Sequence, residues 1–480
     1  MATQAPTRAP AQAQAPTGLT PLDPRLLRLG GVLSLAAVLA GLDATIVSVG
    51  IDAVGRDLGG PLSTLQWVST GYLLAISIVM PLSGWASDRF GGRTMWLTSV
   101  ALFVAGSVLC GFAWSVPALI GFRILQGIGG GMMQPIGQGI LAQAAGPDQL
   151  GRIVGVLVAP VLFAPVAGPV IGGAIVQDLD WRWMFFVNVP VGLVTLLVAL
   201  RVVPKDSPHH TGRERLDWLG LGLLSPGLAG LIFGLSSASD HGAGSPRALL
   251  PLIASALLLL GYGVHALTTS RTPLIDLRLF ARRGFAAATT NSFLLGATLY
   301  GSMLVLPLYF QQVQHQGAIQ AGLSLAPQAL GAALISYFAG RLTDRIGPRG
   351  VILVGIALSL IGTVPLVFLG AGLPGWAMLA ALAVRGAGIG ATMAPGMATV
   401  YGSVERHEAP RAASALNVMN RVGGSIGTAV LALILQAQLG RHTGHPAAAY
   451  GATFAWALAL SVLPVLPALA FPTNKTRRFS

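Results

Sequence analysis

Apolar residues in this chain do not recur at the spacing of an amphipathic helix or a half-buried strand; they run together. Fourteen stretches are apolar on every side and last about 20 residues, the length at which a helix crosses a roughly 30 Å hydrocarbon layer. The first six are Leu29–Val49, Trp67–Ala86, Met95–Trp114, Val116–Ile136, Ile153–Ile175 and Met184–Val203. Two more follow at Trp218–Ser236 and Leu249–Leu267. The last six are Phe285–Phe310, Ala321–Ala339, Val351–Leu369, Gly375–Met393, Ala412–Gln436 and Tyr450–Phe471. The pattern predicts an all-α polytopic membrane protein. Its expected parts are a disordered cytoplasmic tail over 1–24, a six-helix bundle over 25–203, and two additional helices with flanking loops over 204–284. A second six-helix bundle over 285–472 and a short cytoplasmic tail over 473–480 complete it.

Charge supports this count. Only 9% of residues are charged against 53% hydrophobic, where a soluble domain carries roughly a quarter charged. With the N-terminus inside, 22 of the 29 Lys and Arg fall in inside loops or tails, and only Arg56, Arg182, Arg247 and Arg441 fall outside. Arg123, Arg385 and Arg421 lie within or at the edge of spans. Adding or removing one span midway would reverse the bias of every later loop, so the positive-inside pattern favours fourteen spans with both termini cytoplasmic. The net charge of +13 is explained by those loops and does not point to nucleic acid. The lone cysteine, Cys110, lies in an apolar run and reads as a small core residue. The first apolar run is long enough to stay as a span rather than be removed as a leader.

The chain also repeats itself. Gly84-Trp-Ala-Ser-Asp88-Arg89-Phe-Gly91-Gly-Arg93 returns 256 residues later as Gly340-Arg-Leu-Thr-Asp344-Arg345-Ile-Gly347-Pro-Arg349. Both copies follow the second span of a six-span set. Two parallel six-span halves with a midplane site between them are a common transporter plan. The doubled loop resembles the hallmark loop of the major facilitator superfamily. Further segments resemble its fourteen-span drug:proton antiporter branch: Leu42-Asp43-Ala-Thr45-Ile46-Val47 in the first span and Arg123-Ile-Leu-Gln126-Gly127-Ile-Gly129 in the fourth. Gly168-Pro169-Val-Ile-Gly172-Gly173 in the fifth is similar to the antiporter-associated motif, with Ala164 where that branch usually has another glycine. Trp181-Arg182-Trp183 through Asn188-Val-Pro190, and Pro307-Leu-Tyr309-Phe-Gln311, extend the match.

Among the sixteen acidic residues, Asp43 alone falls well inside a span. At 1.5 Å per residue it lies about 21 Å from the inner surface, nearly the depth of Arg123 on the fourth span. An ionised carboxylate there costs roughly 3 kcal/mol or more unless paired. Two readings are open: Asp43 takes and releases the coupling proton with Arg123 tuning it, or the two form a permanent ion pair between helices. The loop residues Gly84, Asp88, Arg89, Gly91 and Arg93, with Asp344 and Arg345, are what the resemblance implies to be an inner-face latch between halves. Simple topological anchoring also fits the arginines. Gly168, Pro169, Gly172 and Gly173 suit close helix packing, and the resemblance implies a seal against proton leak. Arg385, mid-span without an acid in its half, either bonds carbonyls near Gly386, Gly388 and Gly390 or meets an anionic substrate group. Asn291, Tyr300, Tyr309, Gln311, Asn417 and Asn420 are candidates for lining a central cavity, or for packing between helices.

Enzymatic signatures fail. His407-Glu408 has no second zinc-ligand histidine, and neither Lys205 nor Lys475 follows a glycine, so no phosphate-binding loop exists. The expectation is a proton-coupled exporter of small amphiphiles in a bacterial plasma membrane, not an enzyme. It needs no cofactor or metal, binds no nucleic acid, and works as a monomer with the substrate, protons and the bilayer as its partners. A solute importer and a lipid-handling protein are the alternatives.

Overall fold

The computed structural model describes residues 23–145, 147–206, 215–242 and 244–471. Among these, regular structure is entirely helical. The first half comprises α1 (Pro24–Leu58), α2 (Leu62–Val79), α3 (Leu82–Phe90), α4 (Gly92–Gly111), α5 (Val116–Ala144), α6 (Pro147–Asp178), α7 (Trp183–Phe186) and α8 (Asn188–Val202). Next come α9 (Trp218–His241) and α10 (Pro246–Thr268). The second half comprises α11 (Arg283–Gln312), α12 (Ala318–Val367), α13 (Gly375–Gly402), α14 (Ala409–Arg441), α15 (Pro446–Val462) and α16 (Val465–Leu469). Helix starts carry local signals. Asp23, Ser115 and Asp217 accept from backbone N–H groups at the N-termini of α1, α5 and α9, satisfying donors that no helix can satisfy for itself.

Among the described residues, thirteen helical segments are long and apolar enough to span a bilayer, and a fourteenth is α2 with α3, bent by 57° at their junction. The second span is therefore broken, where the apolar run Trp67–Ala86 predicts one straight helix. Pro81 stands at the junction; it has no N–H to donate and its ring crowds the preceding turn. The repeat is visible in the backbone. Gly91, which ends α3, has φ 90 and ψ 139, and Gly347, which kinks α12, has φ 81 and ψ 162. Both copies thus turn at the same place through a conformation that a side chain disfavours.

We call the face where α1 begins the near face and the other the far face. At the near face one apolar cluster runs through residues of both halves and of α9 and α10, from Leu29 and Ile140 to Phe285, Ala413 and Val418. Toward the far face the cores are separate, one around Ile46, Val68 and Phe185 and the other around Leu306, Leu382 and Phe454. The halves are thus packed together at the near face. The extra pair flanks this junction. Ser225 of α9 donates to the Ile78 carbonyl at 2.7 Å, and Phe233 stacks on Trp67. α9 also lies against α14.

Candidate transport and coupling site

Asp43 is completely buried in the middle of α1 and Arg123 is 1% exposed. The Arg123 Nη1 donates to Asp43 Oδ2. Two neutral amides complete the carboxylate's shell: Gln126 Nε2 donates to Oδ1 at 2.9 Å and Asn188 Nδ2 at 2.8 Å. Gln126 also accepts from Arg123 Nη1 at 2.8 Å and donates to Ser107 Oγ at 2.7 Å, so its orientation is fixed from both ends. The guanidinium is held further by the Val68 carbonyl, at 3.2 Å from Nε, and lies 4.0 Å from the centre of the Tyr72 ring. Every partner of Asp43 donates, which matches the acceptor-only form of an ionised carboxylate. Five spans (α1, α2, α4, α5 and α8) contribute to one network.

The seam between α1 and α6 closes directly around this site. A Cβ on Gly168 would overlap the Thr45 hydroxyl, and one on Gly172 would come within 2.9 Å of the Ile46 carbonyl. Thr45 and Ile46 are the second and third residues after Asp43. One turn toward the near face, Ala164 fills the position that the family usually leaves to glycine, and Gly41 faces it from α1. Gly173 instead faces Ile319 of α12, in the other half. The Trp181–Pro190 segment has two anchors. Trp181 Nε1 and Arg182 Nη1 donate to Asp57 at 3.0 and 2.9 Å at the far end of α1, while Asn188 reaches Asp43.

At the near face the doubled loop's first copy meets the other half. Arg411 Nε donates to Asp88 Oδ2 at 2.9 Å. A Cβ on Gly84 would lie 3.1 Å from the Arg411 Cα, so the glycine lets the two helices approach this closely without displacement. Ser414 Oγ donates to the Met80 carbonyl at 3.0 Å and Asn417 Nδ2 to Gln138 Oε1 at 2.7 Å, continuing the junction upward. Arg93 stays within its own half, donating to the Leu200 carbonyl, and Arg89 is exposed. Asp206, on the linker after α8, accepts from Arg93 N and Thr94 N at the start of α4, in space that any side chain on Gly91 would occupy. The side chains of Asp344 and Arg345 lie outside those described.

These contacts, two halves meeting through a bent second span and a buried charged network in one of them, are matched by sequence. A profile described as the Major Facilitator Superfamily covers residues 33–428. The chain belongs to that superfamily. It is 40% identical over 446 residues to the "Multidrug resistance protein B homolog" of Mycobacterium tuberculosis, spanning 89% of this chain and 82% of that one. It is 30% identical over 413 residues to the "Multidrug export protein EmrB" of Haemophilus influenzae, spanning 84% and 79% respectively. A third relative is the "Tetracenomycin C resistance and export protein" of Streptomyces glaucescens, 30% identical over 420 residues, or 85% of this chain and 76% of that one. These relatives place the chain on the superfamily's drug-efflux branch. Among solved structures, the proton:xylose symporter XylE superposes with a TM-score of 0.65 over 94% of this chain and 96% of its own, at 16% identity, a likeness of fold. The protein is a multi-pass membrane transporter of the major facilitator type.

In this major facilitator chain the second half is not a copy of the first. Arg385 is buried like Arg123, yet its partners are Gln328 Oε1 at 2.8 Å, Ser302 Oγ and, at 3.4 Å, the Thr298 carbonyl. The expected bonds to carbonyls near Gly386, Gly388 and Gly390 do not form. Those glycines serve instead as contact points for the backbones of Gln328, Gly355 and Ala332. The remaining candidates do not converge. Asn291 is buried and its Oδ1 has no partner among the described residues. The Tyr300 ring covers Gly424, and Asn420 bonds the Ser292 carbonyl. Tyr309 packs on Tyr450, and Gln311 is exposed at the end of α11. Sequence reasoning passed over Gln126 and Asn188 as partners of Asp43, although both lie in the quoted motifs.

Proposed function

We propose that this chain is a proton-coupled antiporter that exports small amphiphiles by alternating access between its two six-helix halves. The observation that carries the proposal is the fully buried Asp43, the mid-span carboxylate, held by three donors from α5 and α8. A carboxylate at that depth is unfavourable unless paired or protonated, and such groups mark proton paths. Here Asp43 exchanges its pairing with Arg123 for a proton. The bonds of Arg123 to Val68 and Gln126 hold the guanidinium in place when the carboxylate is neutral. The tight α1–α6 seam keeps water away from Asp43, so the proton cannot leak past without substrate. The multidrug and export names of the relatives support export over uptake.

With the near face cytoplasmic, as the Lys and Arg distribution favours, the Asp88–Arg411 junction is the cytoplasmic gate and stands closed. Both termini are then cytoplasmic in the plasma membrane, and a single chain contains the whole path. The test is everted-membrane-vesicle transport, in which amphiphiles are scored for dissipation of an imposed proton gradient. The reading predicts gradient loss that depends on substrate and on this protein. Substrate accumulation that is indifferent to the gradient would refute proton coupling.

A further inference from the structure

One charged group in the membrane interior has no part in the networks above. Arg421 lies twelve residues into α14 from its near-face start at Ala409, about 18 Å deep at 1.5 Å per residue. It is partly buried, and it makes no hydrogen bond or ion pair with any described residue. A guanidinium stays charged under all conditions a protein meets, and an unpaired charge at this depth marks a functional path.

Its direction follows from the helix register. Ser414 and Asn417 of α14 bond Met80 and Gln138 of the first half, and Arg421 follows Asn417 by four residues, on the same face. Moving seven residues outward from Ser414 on α14, or eight outward from Met80 on the antiparallel α2, leads to Arg421 and Tyr72 at nearly one height. The ring of Tyr72 covers Arg123. Arg421 therefore faces the space between the halves, just beyond the near-face junction. Asp43, the one mid-span carboxylate, is fully covered and already saturated by donors. The second buried cation, Arg385, also has no carboxylate partner, and its Nε is unbonded. The midplane thus presents surplus positive charge to whatever enters it.

We propose that Arg421 receives an acidic group of the substrate, and that the amphiphiles this transporter handles are anionic, carboxylates or acidic phenols. The inference rests on the export reading and narrows it to a substrate class. A forked guanidinium suits planar, two-oxygen acids. An organic cation at the same place would meet like charge and find no free carboxylate among the described mid-span residues.

The test uses purified full-length protein and three naphthalene fluorophores of matched size, bearing a carboxylate, a carboxamide or a trimethylammonium group. The expected result is tightest binding of the carboxylate. Arg421→Gln should weaken that binding by about tenfold to a hundredfold, the span of a charged hydrogen bond, leave the carboxamide nearly unchanged, and be rescued only in part by Arg421→Lys, which restores the charge but not the fork. The carboxamide serves as the folding control. Preference of the wild type for the cation or the amide would overturn the inference. So would equal losses for carboxylate and carboxamide in Arg421→Gln. Proton flux driven by each probe in proteoliposomes reads the export proposal separately: charge-selective binding without proton flux would sink the coupling and leave the anion site standing.

Discussion

Gly41 on α1 and Ala164 on α6 face each other so closely that a Cβ on Gly41 would lie 3.0 Å from the Ala164 Cβ. The methyl group that Ala164 adds relative to the family's usual glycine is accommodated because the glycine stands on the opposite helix. The glycine on α1 thus leaves the room that the Ala164 methyl occupies in this seam.

This gives a double-mutant prediction. Gly41→Ala should destabilise the protein by about 1 kcal/mol or more, as overpacking does. Adding Ala164→Gly should recover most of the loss, because the space then returns on the other side. Thermal unfolding in detergent of the two single variants and the double variant measures the coupling. Gly168→Ala, which drives a methyl into Thr45, should be worse than Gly41→Ala and should make vesicles leak protons. Additive losses in the cycle would show that the two sites do not share one gap.

The amide partners of Asp43 should matter for coupling rather than for substrate. Asn188→Leu removes one donor from a buried carboxylate, an interaction worth roughly 1.5–3 kcal/mol when charge is involved. Proton-driven turnover is expected to fall about tenfold or more, while equilibrium substrate binding and substrate–substrate exchange change little. Gln126→Leu should be more severe, since Gln126 also holds Arg123 and Ser107. Loss of binding with unchanged coupling would place both residues in the substrate path instead.

How far the sequence reached is clear from particular residues. The shared depth of Asp43 and Arg123 followed from counting along two opposed spans, because charge inside an apolar run is conspicuous. Gln126 and Asn188 are uncharged and carry no such signal, although each sits in a recognised motif. The bend at Pro81 was legible in the residue, yet the apolar run continues through it and hid the break. Arg411, the partner of Asp88, is 323 residues away; no local pattern links a loop in one half to a helix start in the other. Arg421 was counted as a span charge, but its direction depends on how α14 docks, which only the packed structure supplies.

The near-face pair should control a state equilibrium. Asp88 and Arg411 are only 20% and 14% exposed in their side chains, so the pair is mostly shielded from solvent while the halves meet. Asp88→Asn should slow turnover several-fold with substrate affinity little changed, because it shifts populations rather than the site. Spin labels placed across the near face should report more of the near-open state. An unchanged distance distribution together with slowed turnover would contradict the gate assignment.

At the far end, the Trp181 indole N–H and then the Arg182 guanidinium hold the Asp57 carboxyl below its ordinary value of 3.8. A lowered folded-state value means that the clasp is fully formed above the ordinary carboxylate range and is lost as pH falls through the lowered value. Trp181 fluorescence should therefore be flat from neutral pH to 3.8 and change only below it. Asp57→Asn should abolish that acid-range change. A transition near pH 5 that persists in the variant would assign it to another group.

The central claim is that the proton moves on Asp43, and the most direct measurement compares wild type with Asp43→Asn in proteoliposomes under an imposed pH gradient. Substrate and proton movements are recorded together, and binding and thermal unfolding confirm that the variant is intact. Wild type should move protons against substrate. Asp43→Asn should bind substrate, equilibrate it without accumulation, and carry no coupled proton, with Asp43→Glu retaining part of the activity. If Asp43→Asn still accumulates substrate at the expense of the gradient, another group carries the proton and the account of this site is wrong.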